Sequence, residues 1–397
     1  MRTPLPTFVT LTVISVCGMV GVTAQPAYAA CDKPQPGQQI SDTPWQLKHL
    51  WDLSKLPADA TGRDIRVAVL DSGVDEVHPQ LKGKVLSTDP LKNQPGSQDL
   101  CGHGTAVAGV IAGRKLPNVG FQGIAPDAFI LSARVSEKVA GNDDAQPVSP
   151  QVMGETVRWA VANGAKVINI SFAYTSPTGL EPFKQAIDEA IAQDVVVIAA
   201  AGNNNTKEKG NPTPYPAAWP GVVGVAAISA EGVRLPQSGE GDYVDITAPG
   251  VGVMAPRPGG GYSFEDGTSF AAPMVAATAA LIFDRFPNIK GKEVVQRLLA
   301  TADPSPGGRR SDGYGVGVVN PVRAVTEVVD NALPAQARAL PAPSIDPVAS
   351  GATARTERLR QQALWLGAFG MVAALVAVAL MLALPAGARR RWRPAGR

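Results

Sequence analysis

The stretch Ile65-Arg66-Val67-Ala68-Val69-Leu70-Asp71-Ser72-Gly73-Val74 decides how the rest of the chain is read. A short, nearly unbroken apolar run ends in a carboxylate and then a glycine turn. A strand wetted on one face would alternate polar and apolar residues. One covered on both faces reads as continuous, which is the pattern of a buried parallel strand. Similar runs recur at residues 129–135, 167–170, 195–200 and 222–228. Between them lie helical patterns at 105–112, 151–163 and 180–193. Strands alternating with helices of that length predict βαβ units, and so an α/β fold with three αβα layers and a mainly parallel central sheet.

A further helix is expected over residues 269–286. Phe270, Met274, Val275, Leu281, Ile282 and Phe283 make it apolar nearly all round, so it should run through the interior until Pro287 stops it. Two shorter helices are expected at 292–301 and 322–329.

The two ends of the chain carry their own signals. Arg2, an apolar stretch over 8–22 and the small-x-small pattern Ala27-Tyr28-Ala29 read as an export signal cleaved after residue 29. A lipoprotein reading at Cys17 is weaker, because bulky Val16 precedes it. Residues 364–384 carry no charge, long enough to cross a bilayer, and are followed by Arg389, Arg390, Arg391, Arg393 and Arg397. Arginines stay on the cytoplasmic side. The expected organisation is therefore a signal peptide (1–29), an N-terminal extension (30–62), a catalytic domain (63–332), a Pro/Ala-rich linker (333–362), a transmembrane helix (363–385) and a basic cytoplasmic tail (386–397). On that reading the domain lies outside the cell membrane, single-pass anchored, and touches the lipid bilayer only through the C-terminal helix. Once Cys17 leaves with the signal, Cys31 and Cys101 remain as an even pair in an oxidising compartment, which favours one disulfide over two free thiols. The formal net charge of +2 gives no global basic field, so no nucleic acid partner is expected.

Peptide hydrolysis by a serine needs a base for the hydroxyl proton, a carboxylate to orient the base, and fixed donors for the developing oxyanion. Asp71 stands at the C-terminal end of a buried strand, where α/β sheets place functional groups. His103 lies in Cys101-Gly102-His103-Gly104-Thr105, flanked by glycines at a helix start. His78 reads as a surface or packing residue and His49 has no partner signal. Ser269, in Gly267-Thr268-Ser269-Phe270-Ala271-Ala272-Pro273, opens the long apolar helix and gains from the positive end of its dipole. The strand 195–200 runs into Ala201-Gly202-Asn203, whose side-chain amide is suited to donate to an oxyanion; Asn204 and Asn205 follow it.

Taken together and in the chain order Asp, His, Ser, these segments resemble the subtilisin family of serine proteases. The resemblance extends to Gly123-Ile124-Ala125-Pro126, Val167-Ile168-Asn169-Ile170-Ser171, Tyr215-Pro216-Ala217-Ala218 and Thr247-Ala248-Pro249-Gly250. It implies a triad of Asp71, His103 and Ser269, with Asn203 as the oxyanion residue. It further implies a substrate-binding edge at Ser171, Phe172 and Ala173, with Gly202 also binding substrate, and a cis Tyr215–Pro216 bond. Family members often carry glycine at the position of Ala173, whose Cβ would narrow the pocket and disfavour broad cleavage. No acidic ligand cluster stands out, and no metal or cofactor is expected.

A narrower resemblance is to the mycosins, the subtilisin-like proteases of actinobacterial type VII secretion systems. Residues 30–64 are too few for the folding pro-domain typical of secreted subtilisins. The extension, the extra cysteine pair and the anchor complete the likeness. It implies a membrane-anchored endopeptidase acting on protein or peptide substrates within a type VII secretion membrane complex, by limited processing and as a structural subunit. The alternatives are a scaffold with dispensable proteolysis or a degradative surface protease. A Cys31–Cys101 bridge would hold the extension against the domain as a permanent wrap, worth roughly 4 kcal/mol for a loop of that size. The competing view is a short pro-peptide that is cut away.

Overall fold

A computed structural model of the chain describes residues 37–48, 51–91, 99–136, 148–306 and 308–329, all within a unit spanning residues 1–339. The expected signal peptide, Cys31, His49, the linker, the transmembrane helix and the basic tail lie outside the described residues. Among the described residues no helix is long and apolar enough to cross a membrane.

In chain order the elements are α1 (Trp45–Lys48), β1 (Arg66–Asp71), β2 (Val85–Thr88), α2 (His103–Ala112), β3 (Phe129–Arg134), α3 (Pro150–Ala162), β4 (Ala165–Ile170), α4 (Glu181–Ala192), β5 (Val196–Ala200) and β6 (Val223–Ile228). There follow β7 (Ile246–Pro249), β8 (Val253–Pro256), β9 (Tyr262–Glu265), α5 (Thr268–Arg285), α6 (Gly291–Ala300), β10 (Asp303–Pro304), β11 (Gly317–Val318) and α7 (Pro321–Thr326). The main sheet runs β10-β11-β7-β6-β5-β4-β1-β3-β2, and every described pairing in it is parallel except β10 with β11. This is the expected subtilisin-like α/β fold with a mainly parallel central sheet. The apolar runs became strands because both faces are covered: β5 and β6 are buried at every position. One core gathers Val67, Val69, Ile130 and Val167 with α2 and α5; the other gathers Ala68, Leu70, Leu131 and Ile168 with α3 and α4. Alternate residues of one strand thus serve opposite layers, each large side chain contributing about 1.5–3 kcal/mol on burial.

The chain leaves β1 towards β2 and β3 on one side and later adds β4 and β5 on the other. Strand order therefore reverses at β1, and the loops beyond the carboxyl ends of β1, β4 and β5 open onto one crevice. The helix expected over 269–286 is α5, buried at every position from Thr268 to Phe283. Three departures from expectation have local causes. The helix expected to reach 329 stops at Thr326, because Glu327 takes an extended ψ of 147°. Strand β7 ends in a proline, and β8–β9 is an isolated hairpin, so neither gives a long apolar run. The Tyr215–Pro216 bond is cis, as the resemblance implied.

The described part of the N-terminal extension packs on the domain. Gln38 exchanges two 2.9 Å backbone hydrogen bonds with Tyr262 of β9, and Gly37 N–H donates to Gly260 O at 2.9 Å. Trp45 Nε1 donates to Gly252 O at 2.7 Å, and Gln46 Nε2 to Met254 O at 2.8 Å. Glycines make this approach possible: a Cβ on Gly37 would fall 2.3 Å from Tyr262 N, and one on Gly120 would fall 2.0 Å from Asp42 O. Tyr262 is held in turn by Gln80, whose Oε1 accepts its hydroxyl at 2.9 Å. His78, 2% exposed, accepts the Gln80 backbone N–H on Nδ1 at 3.2 Å. Of the roles the sequence allowed it, His78 fills the packing one.

Two predictions follow from these tethers. Asp284 at the end of α5 accepts the backbone N–H groups of Thr61, Gly62 and Arg63 at 2.8, 2.7 and 3.2 Å. Asp284→Ala should lower the unfolding free energy by about 2 kcal/mol in urea titrations, since it orphans those donors; a change under about 0.5 kcal/mol would remove this role. For His78, desolvation depresses the imidazole pKa below its usual value, with Asp75 opposing. The unfolded chain then takes the proton first, so this contribution to stability is complete above about pH 6.5 and is lost as pH falls below it. His78→Asn keeps an acceptor for Gln80 and removes the titration. Its urea midpoint should decline less than the wild type's between about pH 7 and pH 5. Parallel declines would place the acid sensitivity elsewhere.

Candidate active site

Asp71 is the last residue of β1 and His103 the first of α2. What brings them together is a backbone contact. Gly102 takes a φ of 88°, and a Cβ on Gly104 would lie 2.0 Å from Gly73 O. With glycine at 104 the start of α2 settles onto the turn after β1. The His103 Nδ1–H then donates to Asp71 Oδ1 at 2.6 Å, with the two side chains 1% and 3% exposed. Ser72 N–H donates to the same oxygen at 2.8 Å. With Nδ1 committed to the carboxylate, the lone pair of neutral His103 sits on Nε2.

Around this pair lies a second buried carboxylate. Asp99 Oδ1 accepts Ser72 Oγ–H at 2.8 Å, Gly102 N–H at 2.8 Å and Cys101 N–H at 3.1 Å, while Oδ2 accepts Thr105 N–H at 2.8 Å. Burial pushes the Asp99 carboxyl above the usual carboxylate range, against the pull of hydrogen bonds from Thr105, Gly102 and Ser72. Cys101 is disulfide-bonded, and its expected partner Cys31 lies outside the described residues.

Ser269 sits in the first turn of α5, behind Gly267 at a φ of 135°. Pro273, four residues on, has no N–H, so the Ser269 carbonyl lacks its helical partner. It accepts Ser171 Oγ–H instead, at a long 3.4 Å. Ser269 Oγ–H donates back to the Ser171 carbonyl at 3.0 Å, and Asn169 Nδ2 holds Ser171 Oγ at 2.9 Å. The residue after Ser269, Phe270, packs its ring on His103 with centroids 5.1 Å apart. That packing sets the first turn of α5, which carries Ser269, beside the buried Asp71–His103 pair.

Asn203 follows β5. Its Oδ1 accepts Thr268 N–H at 2.9 Å and Thr268 Oγ–H at 3.0 Å, which turns Nδ2 the other way as a donor. Thr268 immediately precedes Ser269, so Nδ2 and the Ser269 backbone N–H are arranged from the same turn. Gly202 takes a φ of 82° to make the bend. Phe172 is buried, so it can meet a substrate only through its backbone. Ala173 lines a cavity of about 560 Å³ with Tyr174, Asn204, Lys209, Pro150 and Leu180 among its other walls. Ser171 and Asn203 tie this cavity to Ser269 through one or two peptide units. All the site residues expected from the sequence other than Cys31 therefore lie in or beside one crevice.

Sequence reasoning passed over Asp99, Ser72, Thr105, Asn169 and Thr268 as functional residues. A signal existed for Asp99, an acidic residue just before a helix whose N-cap is a glycine with no side chain to offer.

The model of the subtilase peptidase S8 family matches residues 62–317. Subtilisin E of Bacillus subtilis is 35% identical over 66% of this chain, and the match spans 65% of that protein's length. Mycosin-1 of Mycobacterium tuberculosis is 32% identical over 82% of this chain and 83% of its own. Among solved structures, MycP1 from the ESX-1 type VII secretion system superposes with a TM-score of 0.66 at 28% identity, covering 78% of this chain and 92% of MycP1. The MycP3 protease from the ESX-3 system gives 0.63 at 30% identity, covering 75% and 93%. The chain belongs to the subtilase family, as a relative of the mycosins.

Proposed function

We propose that this chain is a serine endopeptidase of type VII protein secretion, with Ser269 as nucleophile, His103 as its general base and Asp71 as the group that orients and charge-stabilises His103. The observation that carries the reading is the buried 2.6 Å contact between His103 Nδ1 and Asp71 Oδ1, set beside the first turn of the helix that bears Ser269. The Ser269 hydroxyl, which donates to the Ser171 carbonyl in this structure, turns to His103 Nε2, and Nε2 takes its proton as the oxygen attacks the scissile carbonyl. The imidazolium so formed faces Asp71 across a charge-assisted bond. Negative charge on the carbonyl oxygen meets the Ser269 backbone N–H and Asn203 Nδ2. His103 returns the proton to the leaving amine, and water repeats the cycle on the acyl-enzyme. In this reading the edge formed by Ser171, Phe172 and Ala173 meets an extended substrate together with Gly202, and the cavity lined by Ala173 takes the side chain before the cut.

In this reading the domain works outside the cell membrane, held by the helix over 363–385, within a secretion complex. It trims a few exported proteins and also serves as a subunit. Support comes from the uncharged stretch with its arginine cluster, and from likeness to proteins whose names place them in type VII systems. The N-terminal extension stays with the domain, cross-linked from Cys31 to Cys101; the disulfide-bonded state of Cys101 supports that pairing.

Two outcomes test the chemistry. A fluorophosphonate probe should label the wild-type chain at Ser269 and leave Ser269→Ala unlabelled, and the exported proteins of cells carrying Ser269→Ala should retain uncut forms. Normal processing in those cells would reject the protease role; unprocessed but fully exported substrates would leave the scaffold role as the one secretion needs. Asn203→Ala should bind a peptide substrate with unchanged KM and lose about 10²–10³ in kcat, the scale of one oxyanion donor. A loss in KM alone would move Asn203 from the oxyanion to ground-state binding.

A further inference from the structure

We infer that Asp99 is a positioning residue for the Asp71–His103 pair: its carboxylate clamps the arm that carries Asp71 to the arm that carries His103. The inference rests on the protease reading above. It starts from two buried hydroxyls, each of which accepts a backbone N–H from the opposite arm. Ser72 belongs to the β1 arm, one residue past Asp71. Its Oγ accepts Gly104 N–H at 2.9 Å, so its own hydrogen is free to point at Asp99 Oδ1, 2.8 Å away. Thr105 belongs to the α2 arm, two residues past His103. Its Oγ accepts Asp75 N–H at 2.9 Å, and its backbone N–H donates to Asp99 Oδ2 at 2.8 Å.

Each hydroxyl therefore bridges the two arms, and the same carboxylate holds both residues, Ser72 by its hydroxyl and Thr105 by its backbone N–H. Backbone donors from Cys101, Gly102 and Thr105 complete the ring. Asp99 is 5% exposed, and Ser72 and Thr105 are fully buried, so no water competes for these bonds. The surroundings offer Asp99 donors on every side. An amide in its place would set an N–H against an N–H or O–H. The two arms would then be held chiefly by the glycine contact, free to slide by fractions of an ångström. His103 and Asp71 have no such tolerance, because proton transfer depends on the imidazole being aimed at Ser269 Oγ.

A simple helix cap would account for the Gly102 and Thr105 backbone bonds and for a favourable charge at the start of α2. It does not account for the two hydroxyl bridges. Those are what the clamp adds, and they set the test.

The measurement is fluorophosphonate inactivation of the full-length chain, resolved into a binding constant and a maximal rate, with thermal melts as a check on folding. Asp99→Asn should lower the maximal rate about 10–100-fold and leave the binding constant within about twofold. Ser72→Ala should lower the same rate, and the Asp99→Asn/Ser72→Ala double variant should be no slower than the slower single, because both remove one linkage. Thr105→Val should lose rate where Thr105→Ser, which keeps the hydroxyl, stays within about twofold of wild type. If Asp99→Asn does not fold, the Ser72 and Thr105 variants decide alone. Wild-type maximal rates in these variants, a loss confined to the binding constant, additive losses in the double variant, or no rescue by Thr105→Ser would each overturn the clamp. A wild-type chain that is not labelled at Ser269 would instead overturn the protease reading on which the clamp stands.

Discussion

The site depends on one close approach of two backbones. Gly104 stands so near the Gly73 carbonyl that any side chain there would overlap it, at 2.0 Å for the first carbon. That contact fixes how far α2 descends onto the end of β1, and so fixes the gap between Asp71 and His103. An alanine at 104 would force the helix outward by more than the tolerance of a hydrogen bond. The buried pair, the Ser72–Gly104 bond and the packing of His103 on Phe270 all presuppose it. The hydrogen bonds around Asp71 hold the geometry; the missing side chain makes it sterically possible.

The same physics explains what could be read from the sequence. Buried parallel strands print themselves as apolar runs because both faces are covered, so β1, β3, β4, β5 and β6 were legible as strands with ends within a residue or two. The long interior helix was legible because it has no wet face. Short elements without that imprint were not: β7 ends in Pro249, β10 and β11 span two residues each, and β8–β9 is a hairpin outside the main sheet. In the site, Asp71, His103 and Ser269 were legible because glycines and strand or helix ends mark them. Their supports were not. Ser72, Thr105 and Asn169 act through hydroxyl or amide hydrogen bonds whose partners are set only once separate segments fold together. Ser171 and Ser269, for example, are 98 positions apart.

The N-terminal extension shows the same limit from the other side. Its polar, proline-containing composition gives no periodic pattern, yet its described residues lie against β8–β9 through main-chain pairing at Gln38 and side-chain donors at Trp45 and Gln46. Pairing of this kind satisfies backbone groups and asks little of the sequence beyond glycine where chains nearly touch. The strap also ends on Tyr262, which shares Gln80 with His78. A segment that looks separable by composition is thus tied into the network behind the turn that follows Asp71.

The crevice divides its labour between rigid and exposed elements. Asp71, His103, Ser269 and Asp99 are all 5% exposed or less, and α5 is buried through its whole first half. Groups that must meet a transition state within fractions of an ångström are held by packed helices and strand ends. The cavity behind Ala173 is walled in part by Thr175, Ser176, Thr178 and Lys209, which are exposed loop residues. Substitution there changes what a side chain meets without disturbing how His103 is aimed, because none of the described bonds to Asp71, His103 or Asp99 comes from those loops. Pro273 belongs to the rigid half for the same reason. Because Pro273 has no N–H, the Ser269 carbonyl accepts from Ser171, which couples the proposed nucleophile to the edge proposed to meet the substrate. On the proposed mechanism the chemistry can therefore stay fixed while the loops that wall the cavity vary.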